Sequence, residues 1–323
     1  MKIYSIFDDF DREAIETIEA AGAELCVHPL GVPRPDSRQM TEILHDYDCV
    51  IIGTSQKISE DMFADITGPR IIATASVGLD HIRIPEEKRS LITVINTPKA
   101  NAQSVAEYTI GCALSCCKRL TEGAQLYRNG KDNKKLLRKP ENLAGKTMGV
   151  VGAGNISVKI MEYARFFGME ILCWTNHPDQ HRGLEKRGVR FVELSELVEC
   201  ADYISVNLPN REGTRGLISE ELVGRMKDTA VFISVSRLET VDVEALLRKA
   251  ERCGSFYVCL DIDVNETVVR ELPDQSNVLV TPHIAGGTVE TRKRMFRELA
   301  EAIAQLIVQQ GEKNVPQKSV SQN

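Results

Sequence analysis

Arg237, Glu266 and His283 each closely follow an apolar, strand-like run of this 323-residue chain. In open α/β sheets the carboxyl ends of strands are where ligands bind. The three side chains offer complementary chemistry. A guanidinium stays charged at any working pH, and its planar fork grips carboxylate and carbonyl oxygens. An imidazole gains and loses a proton near neutrality, and a neighbouring carboxylate favours its charged, acid form. A fourth element suits a phosphorylated ligand. The segment Lys146-Thr-Met-Gly-Val-Val-Gly-Ala-Gly-Asn-Ile-Ser157 runs an apolar strand into a Gly152-Ala-Gly154-x-x-Ser157 turn and then into a helical pattern. Gly152 permits the tight turn and Gly154 lets a pyrophosphate approach the backbone. The helix opening at Asn155 and Ile156 offers unpaired N–H groups and the positive end of its dipole. Ser157 stands where a third glycine is usual, and it is small enough for helix and strand to pack closely.

These residues need a parallel sheet to carry them, and the chain has the rhythm of one. Strand-like segments at 2–7, 23–27 and 49–52 alternate with helix-like segments at 12–21 and 36–45, which predicts strands covered by helices. Pro29, Gly31, Pro33 and Pro35 mark a loop between them. Strands at 70–75 and 93–96 lead to the turn Thr97-Pro98-Lys99-Ala100-Asn101, and after the glycine turn further strands follow at 170–174, 203–207, 230–235, 255–260 and 278–281. Residues 102–120 are apolar or small on nearly every side, as in a helix buried between domains or subunits, and 129–142 form a polar connection. A last helix over 289–309, with Met295, Leu299, Ile303 and Leu306 as its apolar stripe, is expected to cross back onto the first unit. The tail, 311–323, is polar. The expected architecture is α/β with two Rossmann-like, doubly wound domains. One comprises 1–101 and 289–323, and the other, which carries the glycine turn, comprises 102–288.

Composition narrows the function classes. A hydrophobic content of 42% supports a large core, while no run approaches the roughly 20 apolar residues of a bilayer helix. The start of the chain reads as a strand and not as a secretory leader, so a cytoplasmic protein is expected. A net charge of −6 with mixed signs argues against a nucleic-acid surface and suits a small anionic ligand held by a few local cations. Nine cysteines without a CxxC pair read as reduced, packed thiols, and six histidines show no metal-ligand spacing, so no metal is expected.

Further motifs occur in a fixed order: Ser76-Val-Gly-Leu-Asp80, Thr97-Pro-Lys-Ala-Asn-Ala-Gln-Ser-Val-Ala-Glu107, Leu208-Pro209, the Arg237 segment, Asp261 and Thr281-Pro-His-Ile-Ala-Gly-Gly-Thr288. With the glycine turn, they make the chain resemble the D-isomer-specific 2-hydroxyacid dehydrogenase family, of the phosphoglycerate dehydrogenase-like kind, over nearly its whole length. The resemblance implies an oxidoreductase that interconverts a 2-oxo acid and a D-2-hydroxy acid by hydride transfer with NAD(H) or NADP(H), with a flavodoxin-like substrate domain over 1–101 and 289–323 and an NAD(P)-binding Rossmann domain over 102–288. It implies that Arg237 holds the substrate carboxylate and polarises the ketone, that His283 supplies the proton, and that Glu266 pairs with it. Asp261 has the family's position for contacting the nicotinamide carboxamide, Val235 and Ser236 line the same pocket through their backbone, and Gly286 belongs to the cofactor site. Ser76, Val77 and Gly78 resemble the turn whose N–H groups cradle the substrate carboxylate, and Asn101 resembles the hinge. The 102–120 helix is expected at a homodimer interface.

The chain departs from the family at several points. Thr175 replaces the acid that binds the ribose 2′-OH in NAD-preferring members, and Asn176, His177, His181 and Arg182 follow it as donors. NADP is therefore a live alternative, with NAD favoured because no arginine directly follows Thr175. Leu238 replaces the glycine that usually follows the arginine, which narrows the pocket or reshapes a turn. Thr267 stands where proline often follows the glutamate, so Asp263 is the fallback carboxylate. Asn207 replaces a common histidine. Gly53-Thr54-Ser55 lacks the arginine that phosphoglycerate-using relatives present from the equivalent loop. Two further readings are an NAD(H)-sensing, corepressor-like scaffold without turnover, and a formate- or phosphite-oxidising enzyme. The formate branch pairs its histidine with glutamine, which Glu266 argues against.

Overall fold

Two parallel sheets carry the chain, and the computed structural model describes residues 1–130, 139–262 and 277–313, with side chains to 309. Glu266, its fallback Asp263 and Thr267 lie outside the described residues. The chain divides into two compact units, Met1–Ala100 with Val289–Asn323, and Asn101–Thr288.

The first unit contains β1 (Lys2–Ser5), α1 (Arg12–Ala20), β2 (Glu24–Val27), α2 (Ser37–Asp46), β3 (Cys49–Ile52), β4 (Arg70–Thr74) and β5 (Ile92–Asn96). Its five strands run parallel in the order β2-β1-β3-β4-β5. Every residue of β3 is buried, as the continuous apolar run Cys49-Val-Ile-Ile52 requires of a central strand covered on both faces. Asp36 starts α2 with a reciprocal cap: its carboxylate accepts the Gln39 N–H at 2.9 Å, and its own N–H donates to Gln39 Oε1 at 3.0 Å.

The second unit contains α3 (Ala102–Lys118), α4 (Leu120–Arg128), β6 (Thr147–Val151), α5 (Asn155–Phe166), β7 (Glu170–Trp174), β8 (Val189–Phe191), α6 (Leu194–Cys200), β9 (Tyr203–Val206), α7 (Glu220–Arg225), β10 (Val231–Ser234), α8 (Val243–Arg252), β11 (Tyr257–Ile262) and β12 (Val278–Pro282). The seven strands are parallel in the order β12-β11-β10-β9-β6-β7-β8. The chain leaves β6 in one direction for β7 and later crosses to β9 on the other side, which opens a switch point beside the glycine turn. Alternate strand residues feed two cores. Val150, Cys173, Ile233 and Cys259 pack with α3 and α5, whereas Val151, Leu172, Phe232 and Val258 pack on the opposite face with α6 and α8.

The α3 helix is shorter than its apolar run suggests. Arg119 adopts a left-handed conformation (φ 56°), which ends α3, and α4 begins at the next residue. Packing on α5 and β10 within the second unit buries most of α3, and the residues left open are Glu107, Gly111 and Lys118. The last helix, α9 (Val289–Lys313), packs on α1 and β5 of the first unit. Its buried stripe is Phe296, Leu299, Ala300 and Ile303, so Phe296 and not the half-buried Met295 is the anchor. Phe296 stacks on Phe7 and Phe10 with ring centroids 5.0 Å and 4.4 Å apart. Burying each of these large side chains contributes about 1.5–3 kcal/mol.

Candidate active site

All but one of the described candidates of the second unit fall at or beyond the carboxyl edge of its sheet; Gly152 and Gly154 follow β6, Thr175 follows β7, Val235, Ser236 and Arg237 follow β10, Asp261 lies near the end of β11, and His283 and Gly286 follow β12. Asn101, the exception, precedes α3. Because β11 lies between β10 and β12, Arg237 and His283 emerge from strands separated by about 10 Å, with Asp261 between them.

The glycine turn has the geometry a pyrophosphate needs. Gly152 sits at φ +100°, and a Cβ there would come within 2.9 Å of the Asn207 carbonyl. Gly154 is the N-cap of α5, contributes no side-chain cap, and has open space where a Cβ would stand. α5 opens directly after this glycine, at Asn155 and Ile156, and the start of a helix carries the positive end of its dipole. Ser157 is fully buried, and its hydroxyl has no hydrogen-bond partner among the described residues. This cradle fits the diphosphate of a dinucleotide.

Ser236 ties β9 to β10: its hydroxyl donates to the Val206 carbonyl and accepts the Leu208 N–H, both at 2.8 Å. Arg237 is half-buried, and its carbonyl accepts from Thr240 N–H at 3.1 Å and Thr240 Oγ1 at 2.8 Å. Leu238 turns inward to the core with Ile218 and Val241. The bulk that replaces the family's glycine therefore shapes the turn and leaves the edge of the sheet open.

Asp261 is tied to the turn that follows β12. It is buried, with Oδ1 accepting from Thr281 Oγ1 at 2.6 Å and Ile284 N–H at 2.8 Å, and Oδ2 accepting from Ala285 N–H at 2.8 Å. A carboxylate offers about four acceptor positions, of which these bonds fill three. The Thr281 proton goes to Asp261, so Tyr108 must be the donor in its 2.5 Å bond to Thr281 Oγ1. Burial, then the nearby Cys112, pushes the Tyr108 phenol well above its usual range, which keeps that donor protonated. Ser104 donates to the Ala285 carbonyl at 2.6 Å, and Gly286 packs over Asn101, whose Oδ1 is buried without a partner among the described residues. These bonds fix the turn on which His283 stands, exposed and at φ 51°. Tyr108, Ser104 and Thr281 were not singled out from sequence; Tyr108 and Ser104 are 173 and 181 residues distant from their partners, and no local pattern links them. Asp261→Asn is expected to lower stability by about 1–3 kcal/mol, because one oxygen becomes a donor facing N–H groups. Urea unfolding measures this, and an unchanged midpoint would show that the three bonds do not hold the turn.

Thr175 is half-buried, and its hydroxyl accepts the His177 N–H at 3.4 Å. Arg182, the nearest arginine in sequence, is paired with Asp179 at 2.5 Å.

In the first unit, Ser76 is buried after β4. Its hydroxyl donates to the Gly78 carbonyl at 2.7 Å, Asn96 Nδ2 donates to the Val77 carbonyl at 2.8 Å, and Thr97 N–H donates to the Ser76 carbonyl at 3.0 Å. The carbonyls of the turn are thus occupied, while the Val77 and Gly78 N–H groups have no acceptor among the described residues. A carboxylate matches such a pair of donors.

Comparison with known proteins adds identity to this geometry. The family model described as D-isomer specific 2-hydroxyacid dehydrogenase, NAD binding domain, matches residues 110–285. A hydroxypyruvate reductase of Thermotoga maritima is 32% identical over 269 residues, covering 82% of this chain and 86% of the relative. A D-3-phosphoglycerate dehydrogenase of Bacillus subtilis is 30% identical over 263 residues, and the match covers 81% of this chain but only 50% of that longer relative. The solved structure of the D-lactate dehydrogenase of Aquifex aeolicus, complexed with NAD and lactic acid, superposes with a TM-score of 0.77 at 25% identity, covering 97% of both chains. The chain belongs to the D-isomer specific 2-hydroxyacid dehydrogenase family. It is an NAD(H)-binding oxidoreductase of two Rossmann-like domains that interconverts 2-oxo and D-2-hydroxy acids. No helix among the described residues is long and apolar enough to cross a membrane.

Proposed function

We propose that the seven-stranded unit is the cofactor domain, that the five-stranded unit is the substrate domain, and that Arg237, Glu266 and His283 carry the chemistry. The observation behind this reading is the placement of the glycine turn, Arg237, Asp261 and His283 along one carboxyl edge of one parallel sheet. Bound nicotinamide supplies or accepts the hydride. The chain's own groups do the rest. In the first unit the Val77 and Gly78 N–H groups are donors for a substrate carboxylate; in the second the Arg237 guanidinium is a cation for one. The guanidinium also draws charge toward the ketone oxygen, as a fixed cation does without reorganising. His283 delivers a proton to that oxygen, and Glu266 is its carboxylate partner. The Tyr108–Thr281–Asp261 chain keeps the histidine turn in one conformation.

NAD is the preferred cofactor in this reading. Thr175 carries no charge to meet a 2′-phosphate, and Arg182 is engaged by Asp179. A panel of 2-oxo acids assayed with both reduced cofactors tests the function and the preference together. The expected result is turnover with NADH at a KM at least about 10-fold lower than for NADPH, the equivalent of 1.4 kcal/mol. Cofactor binding without turnover of any acid would favour the scaffold reading.

A homodimer joined through the 102–120 region completes the proposal. It is supported by Leu120 and Tyr127 on α4, large apolar side chains that are 59% and 76% exposed. Sedimentation velocity should give a dimer, and a monomer at micromolar concentration would sink the idea.

A further inference from the structure

The first unit carries a cation-bearing feature at its carboxyl edge, distinct from the turn at Ser76. Phe7 lies just beyond β1 and Gly53 just beyond β3, and the two touch: a Cβ on Gly53 would come 3.0 Å from Phe7 Cζ. Two guanidiniums lie over the Phe7 ring, that of Arg292 at 5.1 Å from its centroid and that of Arg34 at 5.6 Å. They differ in charge balance. Arg292 is ion-paired with Asp9. Arg34 donates from Nη1 to Ser55 Oγ at 2.8 Å and has no carboxylate partner among the described residues.

Arg34 is also held in place. The Gln56 amide donates to the neighbouring Pro35 carbonyl at 2.5 Å, and the buried His28 lies within hydrogen-bond distance of Tyr4 Oη at 2.7 Å and the Pro33 carbonyl at 3.2 Å. An exposed arginine with an anchored backbone, a ring beneath it and one hydroxyl to fix its plane has lost much of its rotamer freedom in advance. What it lacks is an anion. Ser55 belongs to the loop after β3, where the sequence has no arginine, so Arg34 brings a positive charge to that loop from a different segment.

The sheet order β1-β3-β4 places this guanidinium on the side of β3 away from the Ser76–Gly78 turn, with β1 and β4 about 10 Å apart. A short-chain acid with its own carboxylate on the turn and its chain laid across the end of β3 would bring its far end to Arg34. We infer that Arg34 selects substrates carrying a second anionic group, carboxylate or phosphate, at the end remote from the 2-oxo acid function. This rests on the proposed role of the Ser76–Gly78 turn in holding the first carboxylate.

The test is steady-state kinetics of the full chain with NADH. The probes are 2-oxoglutarate and phosphohydroxypyruvate, set against the monoanions 2-oxobutyrate and 2-oxovalerate, for wild type and Arg34→Met. Wild type should prefer a dianion, and the Arg34→Met change should reduce the dianion-to-monoanion ratio of kcat/KM by about 10- to 100-fold, the worth of a charged hydrogen bond. Whichever dianion is preferred identifies carboxylate or phosphate as the recognised group. Turnover of monoanions with no preference for either dianion overturns this inference and leaves the dehydrogenase reading standing. So does a preference that survives Arg34→Met. Failure to turn over any acid sinks both.

Discussion

Replacing His283 by alanine is expected to lower kcat by about 10²- to 10⁴-fold, as loss of a positioned general acid does, while cofactor affinity is retained. The separation follows from the geometry. The turn is held by Asp261, Thr281 and Ser104, none of which bonds the imidazole, and the pyrophosphate cradle lies on β6 and α5. His283 occupies φ 51°, a conformation that asparagine tolerates better than most residues. His283→Asn therefore serves as a control that keeps the turn but has no titrating group. Both variants should lose turnover and still bind NADH in a fluorescence titration. Wild-type turnover in either would remove the histidine from the proton's path.

Arg237→Met is expected to lower kcat/KM for 2-oxo acids by about 10³-fold or more, since it removes both a carboxylate grip and the charge that polarises the ketone. Arg237→Lys should recover only part of this, because a point charge cannot make the paired bonds of a planar fork. The backbone at this position has anchors of its own: Thr240 holds the Arg237 carbonyl, and Leu238 anchors the next residue in the core. Folding should therefore survive, and urea unfolding can verify this before kinetics are read. A KM effect alone, with kcat unchanged, would mean that Arg237 binds substrate without acting in the transition state.

The legible parts of this molecule were those written in local pattern. Fully buried β3 reads as an apolar run, the glycine turn as a strand-to-helix cradle, and the α/β alternation as parallel sheets. What escaped was set by long-range geometry. The short β8 has an exposed centre residue and so carries no apolar run. The end of α3 is fixed by the left-handed Arg119, a conformation that no arginine advertises. On α9, a stripe starting at Met295 fits the helical period nearly as well as one starting at Phe296; Phe7 and Phe10 decide between them. Asp261 could be aligned with a cofactor contact, but its three bonds to the histidine turn depend on the register of β11 with β12. Arg34 could not be assigned to the loop at Ser55 from a stretch whose prolines and glycine indicate only that the chain turns.

This chain moves a hydride between a nicotinamide and C2 of a 2-oxo acid, on the face that yields the D product. Reduction with NADH deuterated at both C4 positions of the nicotinamide ring, followed by chiral separation and mass analysis of the 2-hydroxy acid, tests it most directly. The expected product is a D-2-hydroxy acid carrying one deuterium at C2. An L product, or a D product without the label, would contradict it.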